Sequence, residues 1–347
     1  MSEHKYAELA NKLRAQIQAG VYVSGQKLPS ENELALQTGY SRQTVRQAMG
    51  ILESEGLTDR VQGSGTYVRR EVPRREPSHN IAVVTTYIGE YIFPAILHGI
   101  EHMLSKNGYT PLLSATRNRV DNERRILKEL LHKPIDGLIV EGTKTAFPNP
   151  NIDLYDEFSA LGIPVVFING FYPELKLRKL VYVVADDRAG GRLACRLLLK
   201  KGHRRIAGFF KSDDIQGHRR YAGYAETLRE AGLSVEDDHV LWYTTENRDS
   251  LLSAGTMQTL KNCTAAVCYN DEVAIQVIRE LAKNGIAVPQ QMELISFDNS
   301  TYAQLSASHF VSLTNPKETL GRLAAEKMLH LLQGKAEQPT VLPWSME

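Results

Sequence analysis

The chain has 347 residues, more than one hydrophobic core usually serves, so two or three folded units are expected. Its 41 Lys and Arg nearly balance 40 Asp and Glu, which excludes a uniformly basic protein, and its three cysteines are too few for a disulfide framework. The first residues lack the apolar core of a signal peptide, and no run of about 18 apolar residues occurs. We therefore predict a cytoplasmic protein that does not span a membrane.

The amino-terminal segment, residues 1–75, is more basic than the rest, with eleven Lys and Arg against eight Asp and Glu. Residues 5–19 are predicted to form a helix, because their apolar side chains recur at helical spacing on one face. A second helix is predicted between Ser30, which opens a Ser-x-x-Glu capping box, and Gly39, which suits the left-handed conformation at a helix end.

A third helix is predicted from its cap at Ser41 to about Glu55. Strands at 57–61 and 66–70 flank a glycine-rich tip and so form a β-hairpin. Three helices followed by a hairpin define the winged form of the helix-turn-helix, whose last helix enters the major groove of DNA. We therefore predict that residues 1–71 form a DNA-binding domain.

The third predicted helix has one apolar and one polar face. On a helical projection Val45, Ala48 and Leu52 share one side. Gln43 and Arg46 fall on the opposite side, where arginine can pair with guanine or phosphate and glutamine with adenine. An ordinary solvated face would hold the same residues, so the helix alone leaves both interpretations open. The candidate DNA contacts are Lys5, Ser30, Ser41, Arg42, Gln43, Thr44 and Arg46.

Three strings within residues 4–70 are typical of one family: LPSENELA at 28–35, SRQTVRQA at 41–48 and GSGTYV at 63–68. By these strings the segment resembles the GntR family of bacterial regulators. In that family the Ser-Arg-x-Thr-Val-Arg segment opens the recognition helix, and the glycine tip enters the adjacent minor groove. The resemblance implies DNA contacts by the helix residues named above and, at the wing tip, by Gln62, Gly63 and Ser64.

Residues 72–79 are polar, charged and interrupted by two prolines, which predicts a linker. From residue 80 onward apolar strands alternate with helices, which implies βαβ units and parallel sheets. We predict a multidomain protein in which residues 80–347 form an α/β effector and dimerisation domain of two subdomains. The predicted strands are 81–85, 110–115, 137–140, 165–169, 181–186, 205–210, 240–244, 265–269 and 292–297, and the predicted helices are 93–107, 122–131, 152–161, 189–200, 217–231, 250–260 and 273–283.

Polar and aromatic side chains follow many of these strands, and open α/β sheets bind their ligands at the carboxyl ends of the strands. Carboxylates, amides and guanidinium groups pair with hydroxyls, and aromatic rings lie against the apolar faces of a sugar. The sequence therefore predicts a monosaccharide site, although each residue alone also suits a loop or a helix cap. The candidates are Tyr91, Phe93, Glu141, Lys144, Asn169, Asp186, Gln216, Arg220, Asn270, Asp271 and Asp298, with Tyr87, Glu90, Tyr172 and Asn299 nearby.

Five strings across residues 80–333 are typical of a second family: DDRAGG at 186–191, GHRRI at 202–206, RYAGY at 220–224, AAVCYND at 265–271 and SFDN at 296–299. By these strings the segment resembles the effector domain of LacI-type repressors, which is related to periplasmic sugar-binding proteins. The resemblance implies sugar contacts by Arg220, Asp271 and Asp298. The chain ends earlier than this family leads us to expect, so we expect the final strand to be truncated.

A GntR-type reader joined to a LacI-type effector domain resembles the repressors of arabinose metabolism in Gram-positive bacteria, and the string EGTK at 141–144 agrees with that group. The resemblance implies a homodimer that binds a pseudo-palindromic operator. It also implies that L-arabinose is the effector and releases the repressor from DNA.

Alternatives to this function differ in how well the sequence supports them. A different pentose or hexose stays open, because a polar cleft specifies a polyol better than it specifies which one. The missing signal peptide and the winged helix oppose a transport-type receptor. An enzyme is opposed by the lack of a phosphate-binding loop or a nucleophile elbow, so we expect no catalytic residue. Cys263 and Cys268 lack a second Cys/His pair, so we expect no metal and no cofactor besides the effector.

Overall fold

The computed structural model describes residues 5–23, 25–61, 64–68, 76–175, 180–306 and 310–346. The chain divides into two compact units, residues 1–75 and 76–347. The predicted linker, 72–79, overlaps this division: its first four residues lie outside the described ones, whereas Ser78 and His79 donate backbone hydrogen bonds of 2.9 and 2.8 Å to Asp136 of the second unit.

The first unit contains three helices and a two-stranded antiparallel hairpin: α1 (Lys5–Gln18), α2 (Glu31–Thr38), α3 (Arg42–Ser54), β1 (Thr58–Val61) and β2 (Gly65–Val68). The capping box at Ser30 is formed, and Gly39 ends α2 with a φ of 70°. Leu13, Val45 and Leu52 lie at the centre of a core that all three helices share. The predicted winged helix-turn-helix is therefore confirmed.

The first subdomain of the second unit is built on a six-stranded parallel sheet. Its strands are β3 (Asn80–Thr85), β4 (Thr110–Ala115), β5 (Gly137–Glu141), β6 (Val165–Ile168), β7 (Val181–Ala185) and β13 (Thr340–Leu342), and its helices are α4 (Phe93–Lys106), α5 (Val120–Leu131), α6 (Ile152–Ala160) and α12 (Lys317–Leu332). The strand order is β13-β7-β6-β5-β3-β4. One face of the sheet packs against α4 and α12, and the other packs against α5 and α6.

The second subdomain is built on a five-stranded parallel sheet. Its strands are β8 (Ile206–Lys211), β9 (Val240–Tyr243), β10 (Ala265–Cys268), β11 (Glu293–Phe297) and β12 (Val311–Leu313), and its helices are α7 (Asp187–Lys200), α8 (Ile215–Glu230), α9 (Arg248–Thr259), α10 (Asp271–Lys283) and α11 (Thr301–Leu305). The strand order is β12-β11-β10-β8-β9. Because α7 and α8 cover one face and α9 and α10 the other, the sheet is doubly wound and the predicted α/β class is confirmed.

The chain passes between the two subdomains three times, after β7, after β12 and after β13. These crossings lie side by side: the Asp186 N–H donates to the carbonyl of Leu342 at 2.8 Å, and Thr314 and Ser345 pair through two backbone hydrogen bonds. Trp344 follows β13 and packs edge-on against Phe297 of the second subdomain. The final strand, which we expected to be truncated, is a three-residue strand paired in parallel with β7.

Apart from a final strand, the elements beyond residue 297 were not predicted from the sequence. The long helix α12 packs closely against α4: a Cβ added at Gly321 would lie 2.0 Å from the carbonyl oxygen of Ile96, and one at Gly99 would lie 2.1 Å from that of Glu318. Glycine and alanine on the buried face give a weak hydrophobic pattern, although they allow this close contact. No helix among the described residues is long and apolar enough to cross a membrane.

Candidate ligand cleft and nucleic-acid interface

A cavity of about 200 Å³ lies between the two subdomains of the second unit. Its lining residues stand at or just after the carboxyl ends of the strands of both sheets, from Thr86 after β3 to Asp298 after β11. Ligands of open α/β sheets bind in this place because loops from several strands converge there. The volume exceeds many times what one water molecule needs, so the cavity has room for a small polar ligand.

The structure brings eight of the eleven predicted effector residues to this cavity: Tyr91, Phe93, Glu141, Asn169, Gln216, Arg220, Asn270 and Asp298. Tyr87 and Glu90, which the sequence placed nearby, also line it. Their contact with a ligand stays a prediction.

Three predicted effector residues do not line the cavity. Lys144 forms an ion pair with Glu246 of the other subdomain. Asp186 caps α7 by accepting the N–H of Ala189 at 3.0 Å. Asp271 is completely buried behind the cavity wall. A carboxylate at the junction of a strand and a helix serves the helix amino terminus as readily as it serves a ligand, and the sequence pattern does not separate these roles.

Asp271 is held by hydroxyl groups. Its carboxylate accepts hydrogen bonds from the hydroxyls of Ser296, Ser300 and Ser312 and from the N–H of Ser300, the last at 2.7 Å. Burial, assisted by the nearby charge of Asp298, raises the pKa of Asp271 to about 6. Because no cation pairs with this carboxylate in the described contacts, its ionised form is costly.

Glu141 is a buried residue of the first subdomain that lines the cavity. Its Oε2 accepts the N–H of Thr86 at 2.8 Å and the hydroxyl of the same residue at 2.5 Å, and its Oε1 accepts the amide of Asn169 at 2.8 Å. Burial raises the pKa of Glu141, whereas these donors oppose the rise. Glu141 therefore holds the ends of β3 and β6 together and presents acceptor oxygens toward the cavity.

Arg220 is a buried cation at the second-subdomain wall. Its Nε donates to Asp187 at 2.8 Å and its Nη1 donates to the carbonyl of Tyr269. The guanidinium lies over aromatic rings, with its Cζ 4.4 Å from the ring centre of Phe297 and 4.9 Å from that of Trp344. Burial raises the pKa of Asp187 to about 6, although Arg220 lowers it. The fixed guanidinium can donate its remaining N–H groups to an oxygen in the cavity.

Tyr91 spans the cleft. It lies in the first subdomain with a φ of 58°, and its hydroxyl donates to Asp298 of the second subdomain at 2.5 Å. The same hydroxyl accepts the N–H of Asp271 at 3.2 Å, and the ring stacks on Tyr302 with 6.0 Å between ring centres. Burial, then the charges of Asp298 and Asp271, raise the pKa of Tyr91, which therefore stays neutral.

The sequence-based prediction omitted thirteen lining residues. Four of them, Asn118, Tyr243, Thr245 and Arg248, follow β4 or belong to the end of β9, two strands for which no site residue was predicted, and the others neighbour predicted residues in the same loops or strand ends. Lys211 and Tyr243 are the last residues of β8 and β9, so listing the strand ends of that sheet would have found both. The lining residues absent from the prediction are Thr86, Ile92, Asn118, Gly142, Thr145, Gly170, Lys211, Asp214, Tyr243, Thr245, Arg248, Tyr269 and Glu272.

The charged groups of the cavity favour an uncharged ligand. Each of its three cations has an acidic partner: Lys211 lies 2.5 Å from Asp214, Arg220 pairs with Asp187, and Arg248 pairs with Asp249 and Glu272. Five carboxylates line the same cavity: Glu90, Glu141, Asp214, Glu272 and Asp298. An anionic ligand would meet this excess of negative charge without a free cation among the described lining residues, whereas hydroxyls could use both donors and acceptors.

The described residues contain no group of three or more His, Cys, Asp and Glu side chains that could hold a metal ion. Cys195, Cys263 and Cys268 are buried as free thiols, and burial raises the pKa of Cys195 to about 12. The cysteines therefore act as apolar core residues in this structure.

In the first unit, α3 exposes the face that the sequence predicted for DNA. Arg42, Gln43 and Arg46 are exposed, whereas Val45 and Ala48 are buried in the core. A helix with a buried apolar face and an exposed polar face of this kind fits the major groove.

Arg46 is paired in this structure. Its guanidinium contacts the carboxylate of Glu31 on α2, with Nη2 at 2.9 Å, and Arg60 on β1 contacts the same carboxylate at 3.1 Å. The Arg46 side chain nevertheless remains 63% exposed. Because Glu31 contacts Nε and Nη2, the Nη1 group of this exposed side chain can donate a hydrogen bond to DNA.

The other predicted DNA contacts serve local structure as well. Ser41 caps α3 by accepting the N–H of Thr44 at 3.2 Å, and Ser30 caps α2. Lys5 lies over the ring of Tyr40, with 5.8 Å from its Nζ to the ring centre. Ser64 contacts the hydroxyl of Tyr67 at 2.6 Å, and the remaining wing-tip candidates, Gln62 and Gly63, lie outside the described residues.

A winged helix-turn-helix in the same chain as a two-subdomain ligand cleft defines a DNA-binding regulator of the kind that responds to small molecules. Residues 5–68 match the family of bacterial regulatory proteins, gntR family, and residues 195–345 match the periplasmic binding protein-like domain.

Two curated relatives are similar to this chain over nearly its whole length. The arabinose metabolism transcriptional repressor of Geobacillus stearothermophilus is 37% identical over 338 residues, which cover 96% of this chain and 92% of that protein. The protein of the same name from Halalkalibacterium halodurans is 35% identical, over 95% of this chain and 90% of its own. The chain therefore belongs to this family of transcriptional repressors, which are regulators rather than enzymes.

The fold is shared with solved regulators of the LacI type. The complex of the transcriptional regulator CelR with cellobiose aligns with a TM-score of 0.70 over 92% of this chain and 98% of that chain, at 22% identity. This similarity supports the fold assignment.

Proposed function

We propose that this repressor binds L-arabinose in the cleft and is then released from its operator. The observation that carries this proposal is the cavity itself, whose cations all have acidic partners and whose remaining polar groups suit a neutral polyol. The relatives named as repressors of arabinose metabolism support the choice of this sugar.

In the proposed complex the sugar hydroxyls bind groups from both subdomains. Glu141 and Asn169 supply an acceptor and a donor from the first subdomain, and Arg220 and Asp298 do so from the second. The ring of Phe93 lies against an apolar face of the sugar. Because the ligand contacts both walls, it stabilises the arrangement in which the subdomains are together.

For DNA, we propose that α3 reads the major groove and that the protein acts as a homodimer on a pseudo-palindromic operator. Arg42, Gln43 and Arg46 are the proposed base or phosphate contacts, and Lys5, Ser30, Ser41, Thr44 and the wing tip are proposed contacts to the backbone and minor groove. Effector binding then changes the spacing between the DNA-binding units (residues 1–75) of the two protomers. A difference of about 1–3 kcal/mol in effector affinity between the two states is the usual size of such coupling.

The effector assignment is tested with an operator selected from random DNA by the protein itself. Operator affinity is measured with increasing L-arabinose, and we expect it to fall by about fivefold to 150-fold at saturation. Unchanged affinity at saturating sugar would overturn the assignment.

A thermal-shift panel of monosaccharides separates L-arabinose from other sugars. A ligand at one hundred times its dissociation constant adds about 2.7 kcal/mol to the stability of the folded state. A larger shift with another pentose or hexose at equal concentration would replace L-arabinose as the effector.

The DNA contacts are tested with Arg46→Ala, which should weaken operator binding by about fivefold to 150-fold if Arg46 reads a base, with relaxed specificity at one position. Lys12→Ala, on the exposed side of α1, is the control. Equal weakening on operator and random DNA would assign Arg46 to a phosphate instead.

A further inference from the structure

Lys144 was predicted to contact the sugar, but the structure gives it a different environment. It lies in the loop after β5 of the first subdomain, with a φ of 47°. Its Nζ forms an ion pair with Glu246 and lies 3.9 Å from Asp213, and both acids belong to the second subdomain. Lys144 does not line the cavity described above.

The electrostatic attraction between Lys144 and Asp213 is strengthened because the Asp213 carboxylate is completely buried. Its Oδ2 accepts the N–H of Thr245 at 3.0 Å and the hydroxyl of Thr245 at 2.9 Å. Its Oδ1 has no hydrogen-bond donor among the described residues, although Lys211 lies 3.7 Å away. A buried carboxylate of this kind is stabilised by each cation that approaches it.

The backbone of Lys144 is held by a residue that also crosses the cleft. Asn118 accepts the Lys144 N–H at 2.9 Å, and its amide donates to the hydroxyl of Thr245 at 2.6 Å. Nearby, the hydroxyl of Thr145 accepts the N–H of Ile215 at 3.1 Å. Separating the subdomains would break the Asn118–Thr245 and Thr145–Ile215 hydrogen bonds together with the contacts of the Lys144 ammonium.

We propose that Lys144, Glu246 and Asp213, here called the clasp, hold the two subdomains together, and that Lys144 is a positioning residue for effector binding rather than a sugar contact. The proposal rests on the proposed function, because it assumes that the effector binds the arrangement in which the subdomains are together. Apparent affinity then falls in proportion to the fraction of molecules in that arrangement.

The main test substitutes Lys144→Met in the full-length chain, which removes the ammonium and keeps the length of the side chain. Asp213 keeps Lys211 and Thr245 as partners, so the unit should stay folded. Sugar binding is measured by calorimetry for L-arabinose and for the next-best sugar of the panel. We expect a loss of roughly threefold to thirtyfold for both sugars, with their ratio unchanged.

Three further variants show whether the loss arises from the clasp. Glu246→Gln should lower the affinity less, because Glu246 is half-exposed, and it should add little when combined with Lys144→Met. Lys144→Arg should restore most of the affinity. Arg125→Met, which removes an ion pair with Glu129 within α5, should leave it unchanged.

A measurement without sugar tests the clasp independently of the effector. Spin labels at Ser159→Cys on α6 and Ser253→Cys on α9 lie on opposite subdomains at exposed positions, while the native cysteines are buried. Lys144→Met should shift the label distances toward those of separated subdomains. If the wild-type chain binds no L-arabinose, the proposed function fails, whereas the label distances still decide the clasp.

Two results would overturn the proposal. One is a Lys144→Met variant whose sugar affinity and label distances both equal those of the wild type. The other is a loss that differs between the two sugars, because it would show that Lys144 contacts the ligand after all.

Discussion

Replacing Asp271 by asparagine should change how the stability of the second unit depends on pH. The Asp271 carboxylate is completely buried among serine hydroxyls, and its pKa is raised from an ordinary value of 3.8 to about 6. A carboxyl group with a raised pKa in the folded state contributes most stability when it is protonated. That contribution is fully present below pH 3.8 and is lost as the pH rises through about 6.

The size of the effect follows from the two pKa values. Between pH 7 and pH 5 the folded state takes up most of one proton at Asp271, while the unfolded chain takes up almost none. The free energy of unfolding of the wild type should therefore rise by about 1.3 kcal/mol relative to that of Asp271→Asn over this interval. Other buried acids, such as Asp187 and Glu141, titrate in both proteins and cancel in the comparison.

The assay uses the intrinsic fluorescence of the chain. Its two tryptophans, Trp242 and Trp344, both lie in the second unit, so fluorescence during urea denaturation follows that unit. The control is Asp237→Asn, an exposed acid of the same subdomain, which should show no difference from the wild type. Equal pH dependence in wild type and Asp271→Asn would refute the reasoning, and a wild type that loses stability on acidification relative to the variant would show that the hydroxyls lower the pKa instead.

Other substitutions test the packing and the cleft. Arg220→Met leaves the buried Asp187 carboxylate without its cation and should lower the free energy of unfolding by about 3–5 kcal/mol, measured by urea denaturation. Gly191→Ala would place a Cβ 2.1 Å from the backbone oxygen of Arg220 and should cost about 1–3 kcal/mol in the same assay. Gly50→Ala, in open space on α3, should stabilise the first unit by about 0.5–1 kcal/mol, measured by its amide hydrogen exchange. Tyr91→Phe removes the hydroxyl that crosses the cleft and should weaken sugar binding by roughly threefold to tenfold, measured by calorimetry.

The regular elements could be predicted because their signals are local. The apolar and polar faces of α3 follow from helical spacing, and the capping box at Ser30 fixes where α2 begins. Helix α12 was missed because its contact with α4 depends on Gly321 and on small residues, whose effect appears only when two helices are close together. The three-residue strands β12 and β13 are too short to give a pattern at all.

The candidate site could be located from the sequence more reliably than its residues could be assigned. Strand ends converge at one edge of a parallel sheet, so a polar residue after a strand is near the cleft in most cases. Whether its side chain faces the ligand depends on neighbours that are remote in sequence. Asp271 turns toward Ser296, Ser300 and Ser312, which lie 25 to 41 residues further along the chain, and Lys144 turns toward an acid 102 residues away. Neither partnership leaves a signal in the spacing of a single sequence.

The cleft residues and the residues that join the subdomains are partly the same, and this overlap has a consequence for regulation. Tyr91 lines the cavity while its hydroxyl binds Asp298 and the Asp271 N–H on the other side. Contacts of a ligand with both walls and the hydrogen bonds of the Tyr91 hydroxyl both require the subdomains to be together. Ligand binding and these hydrogen bonds therefore favour each other. A sugar can shift an equilibrium only by the difference in its affinity for the two states. Contacts such as the Tyr91 hydroxyl bonds and the clasp also favour the arrangement in which the subdomains are together, so the sugar must supply less of the free energy of closure.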